Sequence, residues 1–391
     1  MSRAYLDFSD PEFSTRSAAV NAAREAHWCA TTPYGLAVLR WREVGLLLRD
    51  RRLRQGSHAW PDKTGLAGSF AEFWKRSVIG QEGAHHQRLR NLIAPVLTEQ
   101  YVAGFIPVFD RIAADLCANL RKTDRAEFLS AFSIPFAGRA IVHLLGMADE
   151  EWEWVSRDAS TLGLAMGVEC KRHEAEINAS YERLSALGYH LVERARSGQD
   201  TDSFIARMLA RFDAAGDCTD RDLNDIIVIA IFGGVDTTRS QLSLGLSQFI
   251  EHPKQWDTFR ADPGLAEQVV EETIRARPTT TWATREAVED FEFGGEMIAK
   301  GTTLHMLVHA SARHNDPAPD FDILAKRRKH FGFGGGAHHC IGHLVARTDM
   351  ACAWRALAQT LKSIHYDGTA VWLPETGNTS AEHLPIRYET T

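Results

Sequence analysis

The stretch Phe331-Gly332-Phe333-Gly334-Gly335-Gly336-Ala337-His338-His339-Cys340-Ile341-Gly342 places one sulfur and two imidazoles among five glycines. Clustered glycines let the backbone fold tightly and approach a flat ligand where a side chain would collide. Backbone N–H groups in such a loop can point at a sulfur and tune its charge. Helix-forming sequence starts right after Cys340, which sets the sulfur near a positive helix N-terminus and favours the thiolate. Two other readings stand beside this one. A lone cysteine after glycines is commonly an inert buried thiol, and His338-His339-Cys340 invites a zinc site. Against zinc, adjacent residues point in different directions, and no second ligand pair lies at zinc-like spacing.

A second constellation is Gly233-Gly234-Val235-Asp236-Thr237-Thr238. Thr219 with Asp222 three residues later has the form of a capping box. It opens a predicted helix that runs to Glu251, before His252-Pro253, and spans roughly 45–50 Å. Two adjacent glycines in its middle cost about 1 kcal/mol each relative to alanine, which points to close packing or a bound ligand. Ile226, Ile229, Gly233, Thr237 and Ser240 fall on one face, so Gly233 opens space one turn from a hydroxyl. The plainer alternative is a packing notch with Thr237 bonded back to the Gly233 carbonyl.

The elements that must position these groups are mostly helical. Helical periodicity covers most of the chain up to about residue 275, with stretches such as Val102–Leu120 and Ile177–Arg196. The pattern turns β-rich around Phe291–His309, with a hairpin at Phe291-Glu292-Phe293-Gly294-Gly295 and a strand from Thr302 to Val308. Helix returns after Cys340 and persists to about Leu361. This predicts a mainly α protein with a small β region concentrated late. No repeat and no Gly/Ser/Pro-rich linker divides it, so residues 1–391 are expected to form one domain.

A formal net charge of −7 argues against whole-molecule attraction to nucleic acid or an anionic membrane. The start, Met1-Ser2-Arg3-Ala4-Tyr5-Leu6-Asp7, has no apolar core of a signal peptide. The longest apolar run, Ile226 to Val235, is far short of the ~20 residues that span a bilayer. Cysteines at 29, 117, 170, 218, 340 and 352 show no paired framework and read as free thiols of a reducing compartment. The expected location is the cytoplasm.

Four features in fixed order carry a resemblance. The pattern F-x-x-G-x-x-x-C-x-G falls at Phe333, Gly336, Cys340 and Gly342. Upstream stand Gly233-Gly234-x-Asp236-Thr237, the E-x-x-R of Glu272 and Arg275, and a set of cations. Together they resemble the cytochrome P450 superfamily, soluble bacterial type, from about residue 82 onward. The resemblance implies a P450-like fold with haem b between the long helix and the cysteine loop, its iron ligated by the Cys340 thiolate. A thiolate ligand pushes electron density that assists O–O cleavage. It implies that Thr237 orders dioxygen and water at Gly233, with Asp236 in the proton relay. Glu272 and Arg275 would support the fold, although such a pair alone is commonly solvated and worth at most about 1 kcal/mol. His86 and Arg90 on one helix face, Arg285 and His338 resemble contacts to the two haem propionates, which need cationic partners. Read singly, His86 and Arg90 form a solvated helix face and His338 is a loop histidine.

The implied activity is monooxygenation: one oxygen atom of O2 enters a small, largely apolar organic substrate. Electrons would come from NAD(P)H through a separate reductase and ferredoxin-type donor, since the chain has no room for a flavin or iron–sulfur domain. The run Lys326-Arg327-Arg328-Lys329 is a candidate docking patch for an acidic electron-transfer partner. Pocket candidates are Trp60, Phe70, Phe73, Trp74, Ile229, Phe232, Thr281 and Trp282, though aromatics in such stretches are more often core. Other readings are a peroxide-driven enzyme on the same fold, which has no need of Asp236 and Thr237, a haem carrier or sensor, and a zinc hydrolase using His339 and Cys340. The family's usual Asn-Arg-Asp-Pro tract here reads His314-Asn315-Asp316-Pro317, and Ala318–Asp322 looks several residues short. His339 and His343 flank the sulfur where small or apolar residues are usual.

Overall fold

The computed structural model describes residues 3–167, 169–216, 218–318 and 320–391. The capping box at Thr219 is present, with Asp222 N–H donating to the Thr219 hydroxyl at 3.2 Å and the Asp222 carboxylate accepting from the Thr219 N–H at 2.7 Å. From it the long helix runs Asp220–Glu251. The helices Ile134–Leu144, Trp152–Gly163 and Glu174–Arg196 pack along its first half. The helices Ala266–Ala276 and His343–Thr360 pack along its second. The apolar interior divides accordingly: one cluster gathers Ile141, Leu162, Leu184 and Ile231, and another gathers Leu242, Leu246, Ile274 and Trp354.

The helix expected over Val102–Leu120 is two helices, Glu99–Ala103 and Ile106–Leu120. The break falls before Pro107, which lacks the N–H needed inside a helix but suits its first turn. The hairpin Phe291–Phe293/Glu296–Ile298 is as expected. Gly294 and Gly295 have φ of 58° and 79°, the pair of positive values a two-residue hairpin turn requires.

The β content is not confined to the late part of the chain. Strands Cys29–Thr32, Gly35–Val38 and Leu53–Gln55 join Trp282–Ala287 and Thr303–Leu307 in one five-stranded sheet. Gly35–Val38 pairs in parallel with Thr303–Leu307, and Leu53–Gln55 runs antiparallel to Trp282–Ala287. Three- and four-residue strands carry too little alternation to stand out in sequence. Gly35–Val38 and Leu53–Gln55 find partners more than 200 residues away, and Cys29–Thr32 joins the sheet only through its hairpin with Gly35–Val38.

No helix among the described residues is long and apolar enough to cross a membrane. A bare zinc ion would find no group of three or more His, Cys, Asp or Glu among them.

Candidate active site: a slot between the long helix and the cysteine loop

The long helix is buried almost throughout, yet Ile229, Ala230, Gly233, Gly234 and Thr237 keep partial exposure. Residues one turn apart lie on one face, so this stripe borders an internal space. A Cβ on Gly233 would meet nothing within 4 Å. In the glycine loop, Cys340 keeps accessible surface although protein surrounds it. A sulfur in that position lines an interior slot. Ile341 to Val345 are likewise half-buried, and a Cβ on Gly342 would also point into open space.

The glycines of the loop divide by role. Gly336, at φ 70°, brings its backbone so close to Leu48 that a Cβ would sit 2.3 Å from the Leu48 carbonyl oxygen. A Cβ on Gly332 would sit 2.3 Å from Ile274. These two are needed against protein, whereas Gly342 leaves room toward the slot. The Cys340 N–H donates to the Phe333 carbonyl at 2.8 Å, which fixes the turn that presents the sulfur. Burial raises the Cys340 thiol above its usual value, against the Gly342 N–H and the charges of Arg90 and Arg347, which favour the thiolate. A cation bound at the sulfur would shift this balance to the ionised form.

Four groups of the predicted cation set meet at one edge of this slot. His86 is buried, and its Nε2 has no hydrogen-bond partner. Its ring stacks on His338 with centroids 4.1 Å apart. Burial and the neighbouring cations push His86 down to about 4. Arg285 is buried and donates to the carbonyls of Thr284 at 2.8 Å and Gly335 at 3.0 Å, and to Gln55 Oε1 at 3.3 Å. None of these acceptors carries charge, and burial lowers Arg285 to about 10. The Arg90 side chain is half-buried without a hydrogen bond or ion pair, and the Cys340 sulfur is its nearest countercharge. Buried guanidinium without a counter-anion is costly unless a ligand supplies one. The edge therefore suits the two carboxylates of a flat dianion whose centre takes the sulfur, and haem fits that description.

Glu82 was not foreseen. Its Oε1 accepts from His338 Nε2 at 2.9 Å, and these contacts hold its carboxyl near 2 despite burial. The only hint in sequence was its position one helical turn before His86.

Thr237 donates its hydroxyl to the Gly233 carbonyl, so the back-bonded arrangement is present on the very face that lines the slot. Asp236 points elsewhere. It is buried, paired with Arg239 at 2.5 Å and laid against Gly163. The two residues read together as an acid–alcohol unit thus occupy different faces of the helix.

Glu272 and Arg275 are buried rather than solvated, joined at 2.6 and 2.8 Å. Glu272 also accepts from Arg327 at 2.9 Å and from the Asp322 N–H at 2.8 Å. Arg327 reaches Asp316 at 2.7 Å as well. The docking-patch reading of Arg327 is therefore corrected: its side chain points inward to two carboxylates, while Lys326, Arg328 and Lys329 stay exposed. Pro319, in the shortened stretch, lies outside the described residues. His339 and His343 stack edge to face at 4.8 Å, and Arg347 lies over the Phe333 ring at 4.3 Å.

Most aromatic pocket candidates are core. Phe73 is fully buried against Tyr181 at 4.8 Å, next to Phe70. Phe232 packs edge to face on Trp74 at 6.2 Å. Trp282 stacks on Phe8 at 4.7 Å. Side chains alternate along a strand, so Trp282 lies on the face opposite Arg285 and away from the slot. Thr281 donates to the Gly377 carbonyl at 2.7 Å, and the Trp60 indole to the Ala165 carbonyl at 2.9 Å. Of the set, Ile229 alone stands on the slot stripe.

A mainly helical fold that gathers a cysteine sulfur with two arginines lacking a counter-anion and two histidines has the parts of a haem-thiolate protein. Comparison with known proteins gives the same class. A family model for cytochrome P450 matches residues 165–378. Luteothin monooxygenase of Streptomyces thioluteus is 34% identical, over 98% of this chain and 96% of its own. The 6-deoxyerythronolide B hydroxylase of Saccharopolyspora erythraea is 30% identical, over 84% and 82%. Among solved structures, cytochrome P450 CYP109Q5 from Chondromyces apiculatus superposes with a TM-score of 0.88 at 24% identity, covering 99% of each chain, which speaks for the fold. The chain belongs to the cytochrome P450 family. It is an oxidoreductase of the oxygen-incorporating kind, and its family binds haem through a cysteine thiolate.

Proposed function

We propose that Cys340 ligates haem iron and that the protein inserts one oxygen atom of O2 into a small, largely apolar organic molecule. Electrons would come from NAD(P)H through a separate reductase and ferredoxin-type donor. The observation that carries this reading is the meeting of Cys340 with His86, Arg90, Arg285 and His338 around one slot, two of those cations lacking a counter-anion. We place the whole of 1–391 in one haem domain and locate it in the cytoplasm.

Bound haem supplies the activation of O2. The chain's own residues do the rest. Arg90, Arg285, His86 and His338 would hold the haem propionates by charge-assisted hydrogen bonds. The Gly342 N–H steadies the thiolate. Gly233 leaves room on this side of the slot, and the Thr237 hydroxyl, whose proton goes to the Gly233 carbonyl, offers its oxygen there as an acceptor one turn on. Asp236 holds the proton-relay carboxylate behind it. Ile229 and Ala230 offer apolar wall to the substrate. Luteothin and 6-deoxyerythronolide B, named for the two relatives, suggest a biosynthetic molecule as substrate. The exposed Lys326, Arg328 and Lys329 suit docking of an acidic ferredoxin through complementary charge.

The dithionite-reduced, CO-bound protein should show the red-shifted Soret band of a thiolate ligand, and Cys340→Ala should lose it. A wild-type spectrum without that band would sink the assignment. Substrate-dependent O2 consumption with NAD(P)H, reductase and ferredoxin then tests the reaction. Turnover with peroxide alone would reverse the choice of oxidant.

A further inference from the structure

A second interior space lies away from the haem slot. The helix Ala18–Ala26 and the short helix Val308–Arg313 meet there with the last turns of Asp220–Glu251 and Ala266–Ala276. Its volume is about 250 Å³, well above the roughly 30 Å³ of one water and below the roughly 300–1,000 Å³ of a drug-sized ligand's pocket. Asn21 and Gln248 stand in its wall, and Arg16, Arg24 and Arg313 bring three guanidiniums to it from two distant parts of the chain. No residue of the slot lines it.

The carboxylates that pair with these arginines are turned outward or already occupied. Glu25, 3.1 Å from Arg24, is 65% exposed, and Asp320, 2.9 Å from Arg313, is 80% exposed. Glu375 is largely buried, but it accepts from the Ser14 hydroxyl, the Thr15 N–H and hydroxyl, and Arg16 Nε. Arg24 is 7% exposed, and its Nη2 has no hydrogen bond among the described residues. Nearby, Arg277 and Glu251 offset each other at 3.9 Å. His309 lines the same space and is 8% exposed. Its Nδ1 stands 3.4 Å from the Arg275 carbonyl, which can only accept, so Nδ1 carries the proton and Nε2 offers a lone pair. Burial and the charges of Arg16 and Arg275, against Glu375, push this imidazole down to about 3, so it stays neutral. Cationic donors thus surround one buried acceptor.

We propose that this cavity binds inorganic phosphate in its hydrogen-phosphate form. Guanidinium forks match phosphate oxygens, and a tetrahedral ion meets forks that arrive from several directions. At neutral pH phosphate keeps at least one P–O–H, which donates to His309 Nε2 while the other oxygens accept from Arg16, Arg24 and Arg313. Sulfate has the same shape but no proton to give, so it leaves the buried acceptor unpaired. A carboxylate lacks both the third oxygen and the proton. Bound phosphate ties the segment 14–26 to the helix Val308–Arg313 and to the end of the helix that carries Glu272 and Arg275.

The test is titration calorimetry of the haem-loaded protein near neutral pH, with inorganic phosphate, sulfate, methyl phosphate and acetate at constant ionic strength. Phosphate should bind at a single site per chain and raise the thermal midpoint in step with occupancy. Sulfate and the ester dianion should bind at least about tenfold more weakly, the weight of one buried hydrogen bond, and acetate more weakly still. Asn21→Asp adds a carboxylate to the wall with little change of shape and should weaken phosphate at least about tenfold, as should Arg24→Gln. His309→Leu should narrow the gap between phosphate and sulfate. Phosphate that moves the midpoint no more than chloride at equal ionic strength would overturn the proposal, and so would sulfate binding as tightly as phosphate. Full phosphate affinity in Asn21→Asp would place the ion elsewhere and overturn it too. Should Arg24→Gln or His309→Leu fail to fold, the order of anions on the wild type and the Asn21→Asp result still decide.

Discussion

Arg327 donates to Glu272 at 2.9 Å, so one carboxylate in the interior holds two guanidiniums, the second being Arg275. One of four consecutive basic residues is therefore a core residue, and its neighbours are surface. Arg327→Glu should destabilise the fold by about 3–5 kcal/mol, because it breaks a buried pair and adds a third carboxylate beside Glu272 and Asp316. Arg328→Glu with Lys329→Glu should leave the thermal midpoint nearly unchanged. That double variant should instead slow reduction by an acidic ferredoxin and weaken its dependence on ionic strength. Equal losses of stability in both variants would contradict the division.

Arg285 and Arg90 await an anion. Replacing Arg285 by Met should cut haem retention at least tenfold, measured as haem transfer to apomyoglobin, with circular dichroism little altered. The Arg90→Leu variant should do the same more weakly, since Arg90 is less buried.

Two glycines of the long helix should respond with opposite sign. A methyl at Gly233 meets nothing within 4 Å, so Gly233→Ala should gain about 1 kcal/mol of helix stability. It should also narrow the slot and alter the spectrum of the haem-loaded protein. A methyl at Gly245 would lie 2.6 Å from the Trp354 ring and 3.2 Å from Thr273 Cβ, neither of which can yield easily. Gly245→Ala should lower stability by about 1–3 kcal/mol. Denaturant unfolding of the two apoproteins compares them directly.

Asp349 predicts a pH dependence. Burial raises its carboxyl well above the usual range, against the Met350 N–H and the Thr238 hydroxyl. In the unfolded chain the same group loses its proton near about 3.9. The folded form keeps it, so this group costs stability progressively as pH rises above that value, until the folded acid itself ionises. Asp349→Asn keeps the shape of the neutral acid and removes the penalty. It should match wild type near about pH 3 and exceed it by a margin that grows toward neutrality, at up to about 1.4 kcal/mol per pH unit. A margin independent of pH would rule out a neutral Asp349.

The sequence by itself determined the parts whose signal is local. The capping box at Thr219, the glycine loop before Cys340 and the Gly-Gly turn after Phe293 each depend on a few adjacent residues, and each stands where its spacing put it. The order of the four motifs carried the family. What only the tertiary structure decided is which faces meet. Trp282 and Arg285 share a strand, yet one stacks on Phe8 and the other turns to the slot edge, because alternation sets opposite faces but not which is inward. Asp236 and Thr237 are adjacent in sequence and diverge by about 100° around the helix. That angle sends one to Arg239 and Gly163 and leaves the other facing the slot. Arg327 looks like its basic neighbours until the fold brings Glu272 and Asp316 to it from 55 and 11 residues away. Burial converts an ordinary charge into a structural one, and burial is a property of long-range packing that adjacent residues do not encode.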